Sequence, residues 1–198
     1  FFTILYTLVA SAFKFAIGLY LALLLNQNMP FKAMIRAVIL IPFIVPTVLS
    51  TIAWLWMFDS TYSVINRMLQ DFFDFQGPIW LSDRINVKAG DFTLLKTTWP
   101  MISVMIVNIW RGMPFYAISF LAGMQTVPQE LYEAAIVDGA NAWHRFWKIT
   151  LPLLRHVITI VLLLSTILTL ADFQIVYVLT RGGPANSTHL FATYAFQV

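Results

Sequence analysis

Four long apolar runs, separated by shorter polar segments, dominate the pattern of hydrophobic and polar positions along the chain. The runs cover residues 1–25, 37–58, 97–124 and 157–180, and a fifth begins at residue 189. A helix rises about 1.5 Å per residue, so about 20 apolar residues cross the hydrocarbon core of a bilayer. The pattern therefore predicts an all-α, polytopic membrane protein with four complete spans and the start of a fifth.

The composition agrees with this prediction and excludes several classes of function. Hydrophobic residues make up 60% of the chain and charged residues 11%, whereas about a quarter of the residues in soluble domains are charged. The net charge of +3 is too small and too dispersed to indicate a nucleic-acid partner. The sequence has no Cys, and its three His are too scattered to predict a metal site.

A charged segment, residues 126–156, separates the third and fourth runs. Pro128 suits the first turn of a helix and Gly139 suits the position just past its end, while Glu130 and Glu133 complement the positive end of the helix dipole. This helix would be about 16 Å long, which is too short to span a bilayer. A second short helix is expected after Asn141, a residue that commonly caps helices. The pair would present a helix to a soluble partner or form an interfacial turn without one.

The distribution of charges sets the expected orientation in the membrane. Lys and Arg divide evenly between the two sides, but residues 26–36 contain no acid, whereas the loop at residues 59–96 contains five Asp. Short basic loops without translocated domains favour the cytoplasmic side. We therefore place residues 26–36 and 126–156 in the cytoplasm, and we expect an amphipathic surface helix within residues 59–96.

The residues of the charged segment resemble a known family pattern. The pattern is Glu-Ala-Ala, three residues, Gly, nine residues and Ile-x-Leu-Pro, formed here by Glu133, Ala134, Ala135, Gly139, Ile149, Leu151 and Pro152. It resembles the EAA loop of permease subunits in binding-protein-dependent ABC importers. The stretches RAVILIPFIVP, WRGMPF, AGMQTVP and LTRGGPANST resemble the carbohydrate-uptake branch of that family, which includes maltose-type and glycerol-phosphate-type importers.

The resemblance implies a single permease domain over residues 1–198 in the inner membrane of a prokaryote, with residues 126–156 as its coupling loop. Both ends look cut from a longer protein, because the chain starts with Phe and stops within an apolar run. The family places the helix of the coupling loop in a cleft of a cytoplasmic ATPase. By resemblance, the contacting residues are Glu130, Glu133, Ala134, Ala135, Asp138 and Gly139.

The resemblance also implies partners and a division of labour. The expected partners are two ATPase subunits, a second permease subunit that is identical or different, and an extracytoplasmic solute-binding protein. This sequence has no Gly-rich loop ending in Lys-Ser/Thr, which is the motif that cradles phosphates. ATP and Mg²⁺ are therefore expected in the partner chain, and no catalytic residue, cofactor or metal is expected in this one.

Polar residues inside the apolar runs are the candidates for a translocation pathway. A charge at the centre of a membrane helix costs about 2.5 to 3.5 kcal/mol on insertion scales, so such a residue suggests a function. Arg111 lies midway along the third run, where Gly112 and Pro114 are expected to interrupt the helix. A kinked helix end from which Arg111 reaches the interface is the alternative. Lys14 is expected to reach an interface or a neighbouring helix rather than to form part of a site.

The remaining candidates are Asn108, Asp172, Gln174 and Tyr177. Asp172 is expected to pair with Arg111 or, with Asn108 and Gln174, to bind the hydroxyl groups of a sugar while Tyr177 packs on its apolar face. Hydrogen bonding between helices without any ligand explains the same residues.

Two other classes of function stay open from the sequence. A secondary transporter or channel would need no ATPase, but paired charges along several spans and inverted repeats, which are typical of that class, are not evident. A membrane enzyme would be expected to cluster His and carboxylates near an interface. Glu130, Glu133 and Asp138 do cluster, but the helix dipole already accounts for the two Glu.

Overall fold

The computed structural model describes residues 2–27, 29–82, 84–89 and 92–197, with side chains over 2–27, 29–82 and 98–197. The first half contains α1 (Phe2–Asn26), α2 (Lys32–Ile44), α3 (Thr47–Met57), α4 (Val64–Phe73), β1 (Arg84–Ala89) and β2 (Phe92–Thr98). The second half contains α5 (Trp99–Gln125), α6 (Gln129–Val137), α7 (Ala142–Arg145), a π-helical turn (Phe146–Thr150), α8 (Leu151–Leu170), α9 (Gln174–Leu179) and α10 (Phe191–Gln197).

Helices α1 and α5 pack together at the centre of the fold and run in the same direction. Their starts share one apolar cluster, called here the first cluster, which includes Phe2 and Met101. Their ends share the second cluster, which includes Leu25 and Met124. At Gly18, a Cβ atom would overlap the Cβ of Tyr116 on α5. The two helix backbones therefore approach more closely there than a larger residue would allow.

Among the residues that the structure describes, three helical segments are long and apolar enough to cross a membrane. They are Phe2–Asn26, Trp99–Gln125 and the stretch Ala142–Leu179, and the pair α2 and α3 would add a fourth if it crosses as one unit. The second apolar run is thus not the straight helix that its length suggests, because α2 and α3 are bent by 91°. Pro46 follows an extended Val45 with ψ 133°, since proline lacks an N–H and disfavours helical backbone in the residue before it.

The third run forms one unbroken helix, α5, so the expected interruption at Gly112 and Pro114 is wrong. Proline in a helix removes one hydrogen bond and usually produces a bend rather than a complete break. Gly112 has a different role, because a Cβ there would lie 2.5 Å from Cδ of Lys14. It gives room for a side chain of the neighbouring helix.

The fourth run differs from its prediction at both ends. Helical backbone already begins at Ala142 and passes through the π-helical turn into α8. This turn comes just before Pro152, whose missing N–H and bulky ring disturb the regular α-helical pattern of the preceding turn. At the other end, the helix stops at Leu170 and restarts at Gln174, which leaves Asp172 in the break.

The loop at residues 59–96 folds against the start of α5. The predicted surface helix is present as α4, and its Ile65 and Leu69 pack on the first cluster. The backbone N–H groups of Tyr62 and Thr61 donate to the Asp59 carboxylate, and these bonds hold the pKa of Asp59 below its ordinary value.

A two-stranded antiparallel hairpin follows α4. Its register runs from Arg84 opposite Thr98 to Ala89 opposite Phe92, with an irregularity between Val87 and Lys88. Helices carry the rest of the regular structure in the described ranges, as predicted, but the pattern of apolar runs gave no sign of this hairpin.

Candidate functional site

A polar cavity of about 690 Å³ lies between α1, α5 and α8, at the break between α8 and α9. The polar residues that line it are Lys14, Thr47, Asn108, Arg111, Ser165, Thr169, Asp172 and Gln174. Four of the five pathway residues expected from the sequence are thus brought together by the fold. Tyr177 is the exception, since it does not line the cavity.

Asp172 holds three elements together at the cavity. Its Oδ2 accepts hydrogen bonds from the Tyr6 hydroxyl at 2.6 Å and from Nδ2 of Asn108 at 2.9 Å. Its Oδ1 accepts a longer bond, 3.4 Å, from the backbone N–H of Ile175 in the first turn of α9. Asp172 therefore joins α1 and α5 to the start of α9.

Arg111 lines the same cavity but is not paired with Asp172. Within the described part of the chain, the Asp172 carboxylate is bonded to Tyr6 and Asn108 and forms no ion pair with Arg111. Nε of Arg111 is buried without a hydrogen-bond partner among the described atoms, as is Oδ1 of Asn108. Both atoms lie on cavity-lining residues one helical turn apart on α5.

Lys14 is a charged cavity residue that the sequence did not identify as part of a site, and the hydroxyl residues Thr47, Ser165 and Thr169 were not identified either. Its side chain is 2% exposed, and its Nζ donates to Oγ1 of Thr169 at 2.7 Å. The stem of Lys14 crosses α5 at Gly112, where a Cβ would obstruct it. The general rule that intramembrane charges are functional would have selected Lys14, but nothing in the sequence links residue 14 to residue 169.

Gln174 and Tyr177 occupy different positions on α9. Gln174 is exposed and lines the cavity, while Tyr177 lies one turn further on. The Tyr177 ring stacks on Phe173, with centroids 4.9 Å apart, and meets the edge of Phe196 from α10 at 5.6 Å. Because Phe173 itself lines the cavity, Tyr177 is connected to it through this stack.

Residues 126–156, called the coupling loop here for the family pattern that they resemble, form a second feature at the far end of α5. Helix α6 ends in a Schellman motif, in which the N–H of Ala140 donates to the carbonyl of Ala135 and the N–H of Gly139 to that of Ile136. Gly139 has a φ of +80°, and a Cβ there would meet open space. Gly139 is therefore required by its backbone conformation, as its place in the pattern predicts.

Two contacts hold α6 against the helix that follows. The hydroxyls of Tyr132 and Thr150 are 3.0 Å apart, and Nη1 of Arg145 donates to the carbonyl of Ala140 at 2.8 Å. Asn141 caps α7, as predicted, because its Oδ1 accepts from the N–H of His144 at 2.8 Å. The loop is thus braced by its own side chains.

The outer surface of α6 is open to a partner. None of its residues is buried, and its exposed members include Glu130, Glu133, Ala134, Leu131, Ile136 and Val137. Val137 is 87% exposed. A groove of about 750 Å³ beside α6 is lined by Asn26 from α1 and Trp143 from α7, so the end of α1 and the coupling loop lie at the same end of the molecule, as the charge pattern predicts.

Comparison with known proteins gives concordant matches. The family profile described as "Binding-protein-dependent transport system inner membrane component" matches residues 14–197. The trehalose/maltose transport system permease protein MalF of Thermococcus litoralis is 36% identical over 99% of this chain and 62% of its own length. The sulfoquinovosyl glycerol transport system permease protein SmoG of Agrobacterium fabrum is 36% identical over 98% of this chain and 59% of its own. The chain thus spans about three fifths of these relatives.

A solved structure shares the fold. It is a bacterial ABC transporter involved in the import of the acidic polysaccharide alginate, which superposes with a TM-score of 0.80 at 22% identity, over 99% of this chain and 65% of the other. A second structure of a bacterial alginate ABC transporter, in complex with an alginate pentasaccharide-bound periplasmic protein, gives a TM-score of 0.79. At this identity the likeness concerns the fold.

Proposed function

Since this chain belongs to the family of binding-protein-dependent transport system inner membrane components, we propose that it is a permease subunit of an ABC importer for a sugar or a related polar solute. The proposal is supported by relatives that are sugar transport permeases. The observation that carries it is the coupling loop, whose helix α6 is braced but has no buried residue and lies at the end of two apolar helices.

Helix α6 acts as the coupling helix in this proposal. Exposed apolar side chains such as Val137 and Ile136 would pack in a cleft of the ATPase, and the small Ala134 and Ala135 would allow close approach. Glu130, Glu133, Asp138 and Gly139 complete the contact surface. ATP and Mg²⁺ bind the ATPase, and this chain contributes transport without catalysis.

The polar cavity is the proposed translocation pathway. Asn108, Gln174 and Asp172 offer both donors and acceptors to the hydroxyl groups of a sugar. Phe173 and Tyr177 supply stacked rings of the kind that pack on the apolar face of a sugar. Movement of α6 would reach the cavity through the helical stretch from Ala142 to Leu170.

The assembly follows from the same proposal. Residues 1–198 form one permease domain, in which α2 and α3 together cross the membrane as a fourth span and α10 begins a fifth. A second permease subunit completes the pathway, and a solute-binding protein docks on the side opposite the coupling loop. The periplasmic protein bound to the alginate transporter supports that last partner.

A cysteine cross-link tests the proposal, because the chain contains no Cys of its own. Val137→Cys in the full-length permease, expressed with an ATPase that carries a Cys in its helical cleft, should form a cross-link that ATP alters. Phe72→Cys is the matched control, since Phe72 is 80% exposed on α4 but belongs to the loop predicted on the opposite side. No cross-link at Val137 with both proteins folded would favour a transporter without an ATPase, whereas a cross-link at Phe72 would contradict the assigned orientation.

A further inference from the structure

The polar cavity has an excess of positive charge. Lys14 and Arg111 both line it, whereas Asp172 is the one carboxylate among its lining residues. That carboxylate already accepts two side-chain hydrogen bonds and is not ion-paired to either cation within the described part of the chain. The lining residues therefore carry one positive charge more than their single carboxylate balances.

The ammonium group of Lys14 has hydrogen-bond donors without an acceptor among the described residues. An ammonium group has three N–H donors, and the described structure gives that of Lys14 one hydrogen bond, to Thr169. Only 2% of the residue is exposed, and within the described part of the chain no second acceptor meets the other two donors. Burying a charge without a partner is costly, so the site is suited to an acceptor that enters the cavity.

The position of Lys14 next to Arg111 is built into the helix packing. Gly112, the residue after Arg111, leaves the space in which the Lys14 stem crosses α5. Two cations on one cavity wall repel each other, and Nε of Arg111 is buried without a partner among the described atoms. An anion placed between them would relieve the repulsion and gain charge-assisted hydrogen bonds.

We propose that the cavity takes an anionic solute, in which a carboxylate, phosphate or sulfonate group on a sugar binds Lys14 and Arg111. This inference rests on the proposed transport function and adds the chemical class of the solute. Asn108 and Gln174 would bind the hydroxyl groups of the same solute, and Asp172 would keep the α8–α9 break in place.

Charged thiol reagents measure the potential of the cavity without knowledge of the solute. Ala171→Cys and Leu168→Cys each place a reporter at an exposed lining position in the full-length permease with its partners, in phosphatidylcholine nanodiscs. A methanethiosulfonate reagent with a sulfonate should react about tenfold faster than its trimethylammonium counterpart, after correction for their rates with a free thiol.

Variants assign this preference to the two cations. Lys14→Met and Arg111→Gln should each reduce the ratio of rates several-fold, whereas Arg67→Gln, an exposed cation on α4, should leave it unchanged. A ratio equal to that of the free thiol, or one that favours the cationic reagent at both reporters, would overturn the inference. So would a preference that survives both cavity variants.

Protection by sugars then tests the solute class. Sodium glucuronate should slow labelling at the reporters more than glucose does at equal concentration and ionic strength, and Lys14→Met should remove the difference. Equal protection by both sugars, or by neither, would overturn the assignment. If the anion tests fail but the ATP-dependent cross-link at Val137 still forms, the proposed transport function stands and only the solute class is wrong. If the cross-link is lost but the anion preference remains, the coupling to an ATPase is wrong and the anionic character of the cavity's solute stands.

Discussion

The coupling loop and the polar cavity differ in how far along the chain their contacts reach. In the coupling loop, the bond between Ala140 and Ala135 joins residues five apart, and the Tyr132–Thr150 contact joins residues 18 apart. In the cavity, the Lys14–Thr169 bond joins residues 155 apart. The coupling loop is therefore held in shape by local contacts, whereas the cavity exists only when distant helices are assembled.

A single helical path connects these regions. Helix α7, the π-helical turn and α8 follow one another without a break from Ala142 to Leu170, and the break that contains Asp172 comes directly afterwards. A displacement of the coupling loop would thus shift the end of α8, where Thr169 and Asp172 make their contacts across the cavity. Substitutions in one region should therefore leave the other unaltered if the two regions are independent.

The largest loss of stability is expected at Asp172, because its carboxylate joins α1 and α5 to the start of α9. Asp172→Ala leaves the Tyr6 hydroxyl and the Asn108 amide without their acceptor, and each unsatisfied buried group costs about 1 to 3 kcal/mol. We expect the free energy of unfolding in mixed micelles to fall by about 3 kcal/mol. Asp172→Asn keeps an acceptor oxygen and should lose less than half as much. Equal losses would show that the hydrogen bonds do not stabilise the fold.

The next effect concerns the contact between α1 and α5. Gly18→Ala places a Cβ against the Cβ of Tyr116 and 3.2 Å from the backbone nitrogen of Ala117, and such overpacking costs about 1 to 3 kcal/mol. Gly112→Ala is the matched control, because there the obstructed atom belongs to the flexible Lys14 side chain. Unfolding should show a larger loss for Gly18→Ala. Equal losses would indicate that Lys14 is as rigidly held as the backbone of α5.

These two regions also show what a sequence alone can predict. The two ends of α6 were located to within one residue, because Pro128 at its start and Gly139 just past its end act through local backbone conformation. The place of Lys14 in the cavity was missed because its partner Thr169 comes from another helix. Gly112 was interpreted as a helix breaker, yet its role depends on a neighbour that only the fold brings near.

Some structural features that the apolar pattern did not predict are nevertheless indicated by single residues in the sequence. Pro46 marks the bend between α2 and α3, since proline shifts the preceding residue out of the helical region, but the length of the apolar run outweighed it. Asp172 is of a type that accepts backbone N–H bonds near helix starts, and here it accepts the N–H of Ile175 just before α9. The hairpin at Arg84–Thr98 lies in a stretch with weak apolar alternation, so the pattern could not separate it from a loop.

A moderate effect on amide exchange is expected at Gly139, because a substitution there strains only the local backbone. Gly139→Val forces a β-branched residue into a φ of +80°, and left-handed backbone costs about 1 to 2 kcal/mol for residues other than glycine. Exchange of the Ala140 amide, which is bonded to Ala135, should accelerate about tenfold. Gly139→Asn tolerates this conformation better and should accelerate it much less. If both variants exchange alike, the Schellman motif does not hold the end of α6.

The smallest effect is expected at Asn141, and it tests the independence of the two regions most directly. Asn141→Ala removes the side-chain acceptor of the His144 amide, which costs about 1 kcal/mol at a helix cap and should speed exchange of that amide about fivefold. Asn141→Asp retains an acceptor and serves as the control. Because the altered contact spans three residues, thiol labelling of Ala171→Cys at the cavity should stay unchanged. A change there in the resting permease would mean that a loss of helix capping is transmitted along α8, and that the coupling loop and the cavity are linked before any ATPase acts on them.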